Sequence, residues 1–331
     1  MTEIKLDGPI SILVLLGLTL PEVSESDLAK IRAAAPPGSN IKVAPHIREA
    51  IAMADDSQVI LGFLPEPLFN AAPHLRWVHA IASGVDMFLY QAMRDSQVLL
   101  TGEKGLVGGH LADTGFGLLL ALTRQIATAI RLGSDSWQER EAMRRKEIEL
   151  EGLTMGIVGF GGTGRAMARR ATAFGMHVLA LDEHSVPASD GVGAVWGRDR
   201  LAELLAASDV VSVCCPLTTE TRQLFNNTAF SQMKQGTLLV NVTRGEIIDG
   251  DALVRALQDG RCGGAALDVA PIEPLPVDHP LWTFDNVVMT PHTAGASQLR
   301  ATRNLERFCE NLRRIHLGEP LVGVVDKQLG Y

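Results

Sequence analysis

Short apolar runs separated by polar, helix-length segments recur through the first hundred residues. Residues 10–18, 41–44, 59–63, 76–81 and 98–101 each have strand length. Ser24-Glu-Ser-Asp27 predicts a helix start, and Pro36-Pro-Gly38 predicts its stop. Strands alternating with helical stretches predict a parallel sheet covered on both faces, flavodoxin-like in pattern. A second series begins at Met155. Its strands are expected at 155–158, 177–181, 194–195, 209–215, 236–242, 264–268 and 286–290, with helices over 165–174, 200–207 and 250–258. Seven strands fit two mononucleotide-binding halves plus one. Residues 297–317 read as a closing helix, ended by Gly318 and Pro320.

Between the two series, residues 109–132 are apolar nearly all round. His110, Asp113, Arg124 and Arg131 argue against a membrane span. An all-round apolar helix is expected to be buried, so this segment reads as one connecting helix that also serves a homodimer interface. Residues 140–151 are charge-rich and read as a solvated helix or loop.

The second series opens with a chemical signal. The strand at 155–158 runs into Gly159-x-Gly161-x-x-Gly164, a helical segment follows, and the next strand ends at Asp182. Strand, glycine turn, helix, strand and acid in this order predict a dinucleotide-binding unit. Gly159 permits the tight turn, Gly161 lets the backbone approach a pyrophosphate, and Gly164 lets the helix pack on the strand. The N–H groups at the helix start face the phosphates. Asp182 accepts from the ribose hydroxyls and repels a 2′-phosphate; Glu183, not an Arg, follows it. The expected cofactor is therefore NAD.

Composition narrows the class. A chain of 331 residues suggests two domains, and 46% hydrophobic with 21% charged residues is ordinary for a soluble globular protein. A net charge of −8 with no basic tract disfavours nucleic acid and anionic membranes as partners. Cys214, Cys215, Cys262 and Cys309 form no CxxC pair and read as reduced, buried thiols of a cytoplasmic protein. No HExxH, Cys/His cluster or GxSxG occurs, so no metal site or serine nucleophile is expected.

Ligands of open parallel sheets sit beyond the carboxyl ends of the strands. Those ends present Thr243 and Arg244; Asp268 and then Glu273; and Thr290, His292 and Gly295. An Arg can hold a carboxylate and polarise a carbonyl, a His can donate a proton at physiological pH, and a Glu can orient that His and favour its protonated form. Together they suit reduction of a 2-oxo acid. The remaining histidines read as surface or loop residues, and His79 and His110 as packed or hydrogen-bonded ones. Trp77 and Trp282 read as core.

These blocks resemble the D-isomer-specific 2-hydroxyacid dehydrogenase family, which includes phosphoglycerate dehydrogenases and glyoxylate/hydroxypyruvate reductases. The matching segments are Ala82-Ser-Gly-Val-Asp86, Gly152 through Gly164, Pro216-Leu-Thr-x-Glu-Thr-Arg222, Asn241-Val-Thr-Arg-Gly-Glu-Ile-Ile-Asp249, Leu267 through Pro274, Thr290-Pro-His-x-Ala-Gly295 and the closing Val325 through Tyr331. The resemblance implies an α/β fold of two doubly wound parallel-sheet domains. A Rossmann NAD-binding domain (104–296) is inserted in a discontinuous flavodoxin-like substrate domain (1–103 plus 297–331), with the active site in the cleft between them. It implies Arg244 as substrate anchor, His292 as acid/base and Glu273 as its partner, with Ser83, Gly84, Arg244 and His292 on the substrate. On the cofactor it implies Gly159, Gly161, Gly162, Thr163, Gly164, Asp182, Pro216, Thr221, Val242, Thr243, Arg244, Asp268, His292 and Gly295, with Asp268 near the nicotinamide amide. Cys214 stands where many members carry His and is expected to line the cofactor site. Asp113 replaces a frequent Glu, and Gly102-Glu103 replaces a small or amide residue. Formate-oxidising relatives place Gln where Glu273 stands, which argues against that activity. A non-catalytic, NAD(H)-sensing scaffold of the corepressor kind is the alternative, although such relatives carry extensions not evident here.

Overall fold

The structure is a computed structural model that describes residues 6, 8–82 and 84–331. Ser83 lies outside the described residues. The chain divides into two compact units, the first formed by the residues up to Val107 with Ala296–Tyr331, the second by Gly108–Gly295.

The first unit begins with β1 (Ser11–Leu15), α1 (Glu25–Ala34), β2 (Asn40–Ala44), α2 (Ile47–Met53), β3 (Val59–Leu61), α3 (Glu66–Asn70), β4 (Trp77–His79), α4 (Gln91–Asp95) and β5 (Leu99–Thr101). Its sheet has the order β2-β1-β3-β4-β5, parallel throughout, a flavodoxin-like order for the parallel sheet that the alternation predicted. Both faces are buried. Leu13, Leu15, Ile60, Val78 and Leu100 pack on one side, and Ile12, Val14, Leu61 and Trp77 on the other. Covering both faces is why these strands read as continuous apolar runs and not as alternating ones. Ser24 caps α1 through a capping box with Asp27.

The second unit continues with α5 (Gly108–Thr123), α6 (Ile126–Leu132), α7 (Arg140–Lys146), β6 (Thr154–Val158), α8 (Gly162–Ala173), β7 (His177–Leu181), β8 (Val195–Trp196), α9 (Leu201–Ala207), β9 (Val210–Val213), α10 (Asn227–Gln232), β10 (Thr237–Asn241), α11 (Gly250–Gln258), β11 (Cys262–Leu267) and β12 (Val287–Met289). The sheet order is β12-β11-β10-β9-β6-β7-β8, all parallel. The order reverses at β6, where β7 and β9 lie on opposite sides of it. That is the switch point at which such sheets bind ligands. The last helix, α12 (Arg300–Leu317), belongs to the first unit and packs on α1.

Three expectations are corrected. The first strand stops at Leu15, short of Leu18, because the chain turns where the Gly17 N–H donates to the Leu20 carbonyl at 3.0 Å. Residues 109–132 are two helices, not one. The break is at Gln125, whose φ of 54° is left-handed. Helix α5 packs within its own unit, against α8 and β10–β12. A Cβ at Gly108 would sit 2.3 Å from the Gly162 carbonyl oxygen. Only α6 leaves large apolar side chains outside, Ile126 and Ile130. Finally, Trp77 is core, stacked on Phe308 at 5.0 Å, but Trp282 is exposed and donates to the Pro276 carbonyl at 2.9 Å. A polar partner in a surface turn outweighs the apolar ring there. Among the described residues, no helix is long and apolar enough to cross a membrane.

Candidate active site

The glycine turn after β6 is built as its spacing requires. Gly159 has φ 98°, and a Cβ there would meet the Cys215 backbone nitrogen at 2.5 Å. A Cβ on Gly164 would lie 2.1 Å from the Gly159 carbonyl oxygen, so the first turn of α8 packs directly on the end of β6. Gly161 differs, since a Cβ there would meet nothing within 4 Å. Two of the glycines serve internal packing and the third faces open space beside a helix start that no side chain caps. That is the cradle a pyrophosphate needs, and Gly162 and Thr163 lie in its first turn. Asp182 closes the arrangement. Its Oδ2 accepts from the Phe160 N–H at 2.7 Å and its Oδ1 from the His184 N–H at 3.0 Å, so the acid is fixed against the glycine turn.

Every other predicted cofactor residue follows a strand of this sheet and lies at its carboxyl edge. Pro216 and Thr221 are in the loop after β9, which is pinned where the Thr221 hydroxyl donates to the Pro216 carbonyl at 2.6 Å. Val242, Thr243 and Arg244 follow β10, Asp268 follows β11, and His292 and Gly295 follow β12. Cys214 directs its thiol to Ser212 Oγ at 3.3 Å. All four cysteines are buried and unpaired, and burial pushes the thiols of Cys214, Cys215 and Cys262 up to about 12.

The expected contact between His292 and Glu273 is formed. His292 Nδ1 lies 2.7 Å from Glu273 Oε2, with the two side chains 45% and 38% exposed. The other Glu273 oxygen accepts from the Ala270 N–H at 3.0 Å, which holds the carboxylate in place. Nδ1 is thereby engaged, leaving Nε2 as the ring nitrogen that can face a substrate. His292 has φ 55°, and its N–H donates to the Asp268 carbonyl at 2.7 Å.

Arg244 is brought into the same group by the backbone. Asn241, fully buried at the end of β10, accepts from the Thr243 N–H at 3.0 Å and donates to the Arg244 carbonyl at 2.9 Å. The Arg244 guanidinium donates to the Thr243 carbonyl at 2.9 Å. The next residue, Gly245, passes so close to the Glu273 loop that a Cβ would fall 1.7 Å from the Ala270 carbonyl oxygen. Backbone contact therefore joins the Arg244 turn to the loop whose Glu273 holds His292.

Sequence reasoning missed what supports this group. Asp268 is buried, and its carboxylate is committed to the His292 turn. Oδ1 accepts from the Thr290 hydroxyl at 2.5 Å and from the Thr293 N–H at 2.9 Å, and Oδ2 from the Ala294 N–H at 2.8 Å. Its visible work is positioning the left-handed turn that carries His292. Arg165 and Arg198, near the Asp182 end, were also not foreseen. Arg165 lies over the Phe160 ring at 4.6 Å, and Arg198 pairs with Glu183 at 3.4 Å.

Known proteins carry the same architecture. Residues 116–294 match the family described as D-isomer specific 2-hydroxyacid dehydrogenase, NAD binding domain. A glyoxylate reductase from Korarchaeum cryptofilum is 35% identical over 296 residues, covering 86% of this chain and 87% of that one. The chain belongs to the D-isomer specific 2-hydroxyacid dehydrogenase family. As a member it is an oxidoreductase that interconverts a 2-oxo acid and a 2-hydroxy acid with a nicotinamide dinucleotide. A D-3-phosphoglycerate dehydrogenase from Rattus norvegicus is 36% identical over 264 residues, 79% of this chain but only 48% of that longer one. Among solved structures, a family dehydrogenase from Xanthobacter autotrophicus Py2, in complex with NADPH and MES, superposes with a TM-score of 0.79 at 28% identity, covering 97% of this chain and all of that one. Family membership favours the dehydrogenase over the scaffold reading, and the paired His292 and Glu273 agree with it.

Proposed function

We propose that the chain is an NADH-dependent reductase of 2-oxo acids to D-2-hydroxy acids, with Arg244, Glu273 and His292 as its catalytic residues. The observation that carries this reading is the 2.7 Å pair of His292 and Glu273, joined through the backbone to Arg244 at the carboxyl edge of a switch-point sheet. When bound, the reduced dinucleotide supplies a hydride to the carbonyl carbon and leaves oxidised. Arg244 holds the substrate carboxylate and polarises the carbonyl. His292 gives the proton from Nε2 to the carbonyl oxygen while Glu273 stabilises and orients the imidazolium. The family resemblance assigns Gly84, in the loop after β4, to the substrate carboxylate as well. The glycine turn, Thr163 and Asp182 hold the pyrophosphate and ribose.

Preference for NAD over NADP rests on Asp182, an acid at the end of β7 that repels a 2′-phosphate, and on nearby cations that are already engaged, Arg198 by Glu183 and Arg165 by the Pro187 carbonyl. The expected ratio of kcat/KM for NADH over NADPH is at least about tenfold, and Asp182→Ser lowers it by about tenfold. Steady-state rates with both dinucleotides check this; the same ratio in enzyme and variant removes Asp182 from cofactor choice.

The partner is a small 2-oxo or 2-hydroxy acid, and a net charge of −8 disfavours nucleic acid and membranes. Reduced, buried thiols suit the cytoplasm. Exposed Ile126 and Ile130 on α6 make a homodimer the expected assembly. Light scattering should then read the mass of two chains; the mass of one would refute it.

A further inference from the structure

The turn that follows β8 carries an arginine with partners in two different cofactor-bearing loops of the second unit. Arg198 Nη1 lies 3.4 Å from Glu183 Oε2, beside Asp182 at the exit of β7. Its Nη2 donates to the Glu220 carbonyl in the loop after β9, next to Thr221. In the order β9-β6-β7-β8, the outer two of these strands stand three spacings apart, about 14 Å. The Arg198 contacts therefore span the exits of β6 and β7, where the glycine turn and Asp182 lie.

Both ends of this strap are anchored. On the β8 side, the Asp182 N–H donates to the Trp196 carbonyl at 2.9 Å. The Arg200 guanidinium lies 3.7 Å from the Trp196 ring centroid and pairs with Glu203 at 2.5 Å. The Arg200 N–H closes the turn on the Gly197 carbonyl at 3.1 Å. On the β9 side, two threonines lock the loop on itself. The Thr218 N–H donates to Thr221 Oγ1 at 2.8 Å, and the Thr221 N–H to Thr218 Oγ1 at 3.2 Å. The link between these two firm ends is softer. Arg198 keeps 32% of its side chain in solvent and Glu183 keeps 56%. An exposed ion pair of this kind is weak, and a guanidinium on a carbonyl is stronger. Two firm loops joined by one half-exposed arginine part without either one unfolding.

We propose that Arg198 is a positioning residue for the adenosine half of the dinucleotide. It holds the Pro216–Thr221 loop at a fixed spacing from Asp182, so that the adenosine slot is formed before the cofactor arrives. Its guanidinium is engaged by Glu183 and Glu220, so it acts through those two loops and not on the ligand. The inference rests on the dinucleotide site proposed above, and not on Arg244, His292 or the identity of the acid reduced. Without the strap, the spacing of the loops has to be set at the moment of binding, and that ordering is subtracted from affinity. The loss falls on any ligand that carries the adenosine half.

The test is equilibrium titration of the full chain, Arg198→Ala, Glu183→Gln and the double variant, with NADH by fluorescence and with ADP-ribose by calorimetry. The expected Kd for NADH rises about tenfold in Arg198→Ala, which loses a charged hydrogen bond and an exposed pair. It rises about two- to threefold in Glu183→Gln, which loses the pair alone. The double variant should match Arg198→Ala, because both changes break one strap. ADP-ribose should lose affinity by the same factors as NADH, since the loss lies in the part the two ligands share. Should Arg198→Ala fail to fold, Glu183→Gln, at an exposed position, carries the comparison. An NADH affinity unmoved in the variants overturns the role of Arg198. Losses that add in the double variant overturn the strap, since Glu183 and Arg198 then act separately. A loss for NADH that spares ADP-ribose overturns the assignment to the adenosine half. No binding of either ligand to the unaltered chain overturns the dinucleotide site itself, and this inference with it.

Discussion

His292→Ala should lower kcat for 2-oxo acid reduction by roughly 10²–10⁴-fold, the contribution of a positioned acid or base, while the enzyme still binds NADH. The geometry gives the reason. Glu273 holds Nδ1 at 2.7 Å, and the turn that carries the ring is fixed through Asp268 to Thr290, Thr293 and Ala294. Removing the imidazole removes the proton donor but neither the glycine turn nor Asp182, so cofactor fluorescence titration should change little. Stopped-flow and steady-state rates check the first half of the expectation. Turnover within threefold of the parent enzyme would show that the proton comes from elsewhere.

The largest effect on stability is expected at a pair no motif announced. Glu103 is fully buried at the exit of β5. It accepts from Arg300 Nε at 2.8 Å and Nη2 at 2.5 Å, and also from the Asn304 side-chain amide. Arg300 opens α12, so this bidentate contact ties the start of the closing helix to the sheet of the first unit. Breaking a buried pair from one side leaves an uncompensated charge, which costs about 3–5 kcal/mol. Arg300→Ala should lose stability on that scale in urea titration. The double change Glu103→Gln, Arg300→Met should recover most of it, since neither partner is then left charged. Equal losses in the single and double variants would mean that packing, not the charge, dominates.

The two sheets were legible because their central strands are buried on both faces and bounded by turn residues, so apolar runs such as 59–63 and 264–268 stood out without alternation. The glycine turn was legible because three positions with different steric tasks fall in one fixed spacing. The break between α5 and α6 was not, because the left-handed residue is Gln125, with no Gly or Pro nearby to mark it. Glu103 was visible only as a departure from a family pattern. Its partners lie about two hundred residues away, and burial of a carboxylate is a property of the folded chain. Asp268 was recognised as a site residue but not for its visible work. The groups that occupy its carboxylate are backbone N–H groups and threonine hydroxyls of a distant turn, which no side-chain motif encodes. Arg244, Glu273 and His292 were legible as strand-end residues, but the close pass of Gly245 against Ala270 that joins them emerges only from the coordinates.

The account stands most directly on where a substrate analogue lies. Crystals of the enzyme with NADH and oxamate should show the oxamate carboxylate on the Arg244 guanidinium and its carbonyl oxygen within about 3 Å of His292 Nε2, the reach needed for proton transfer. Oxamate bound with His292 turned away from that oxygen, or with Arg244 contacting neither end of it, would contradict the assignment of these residues to catalysis.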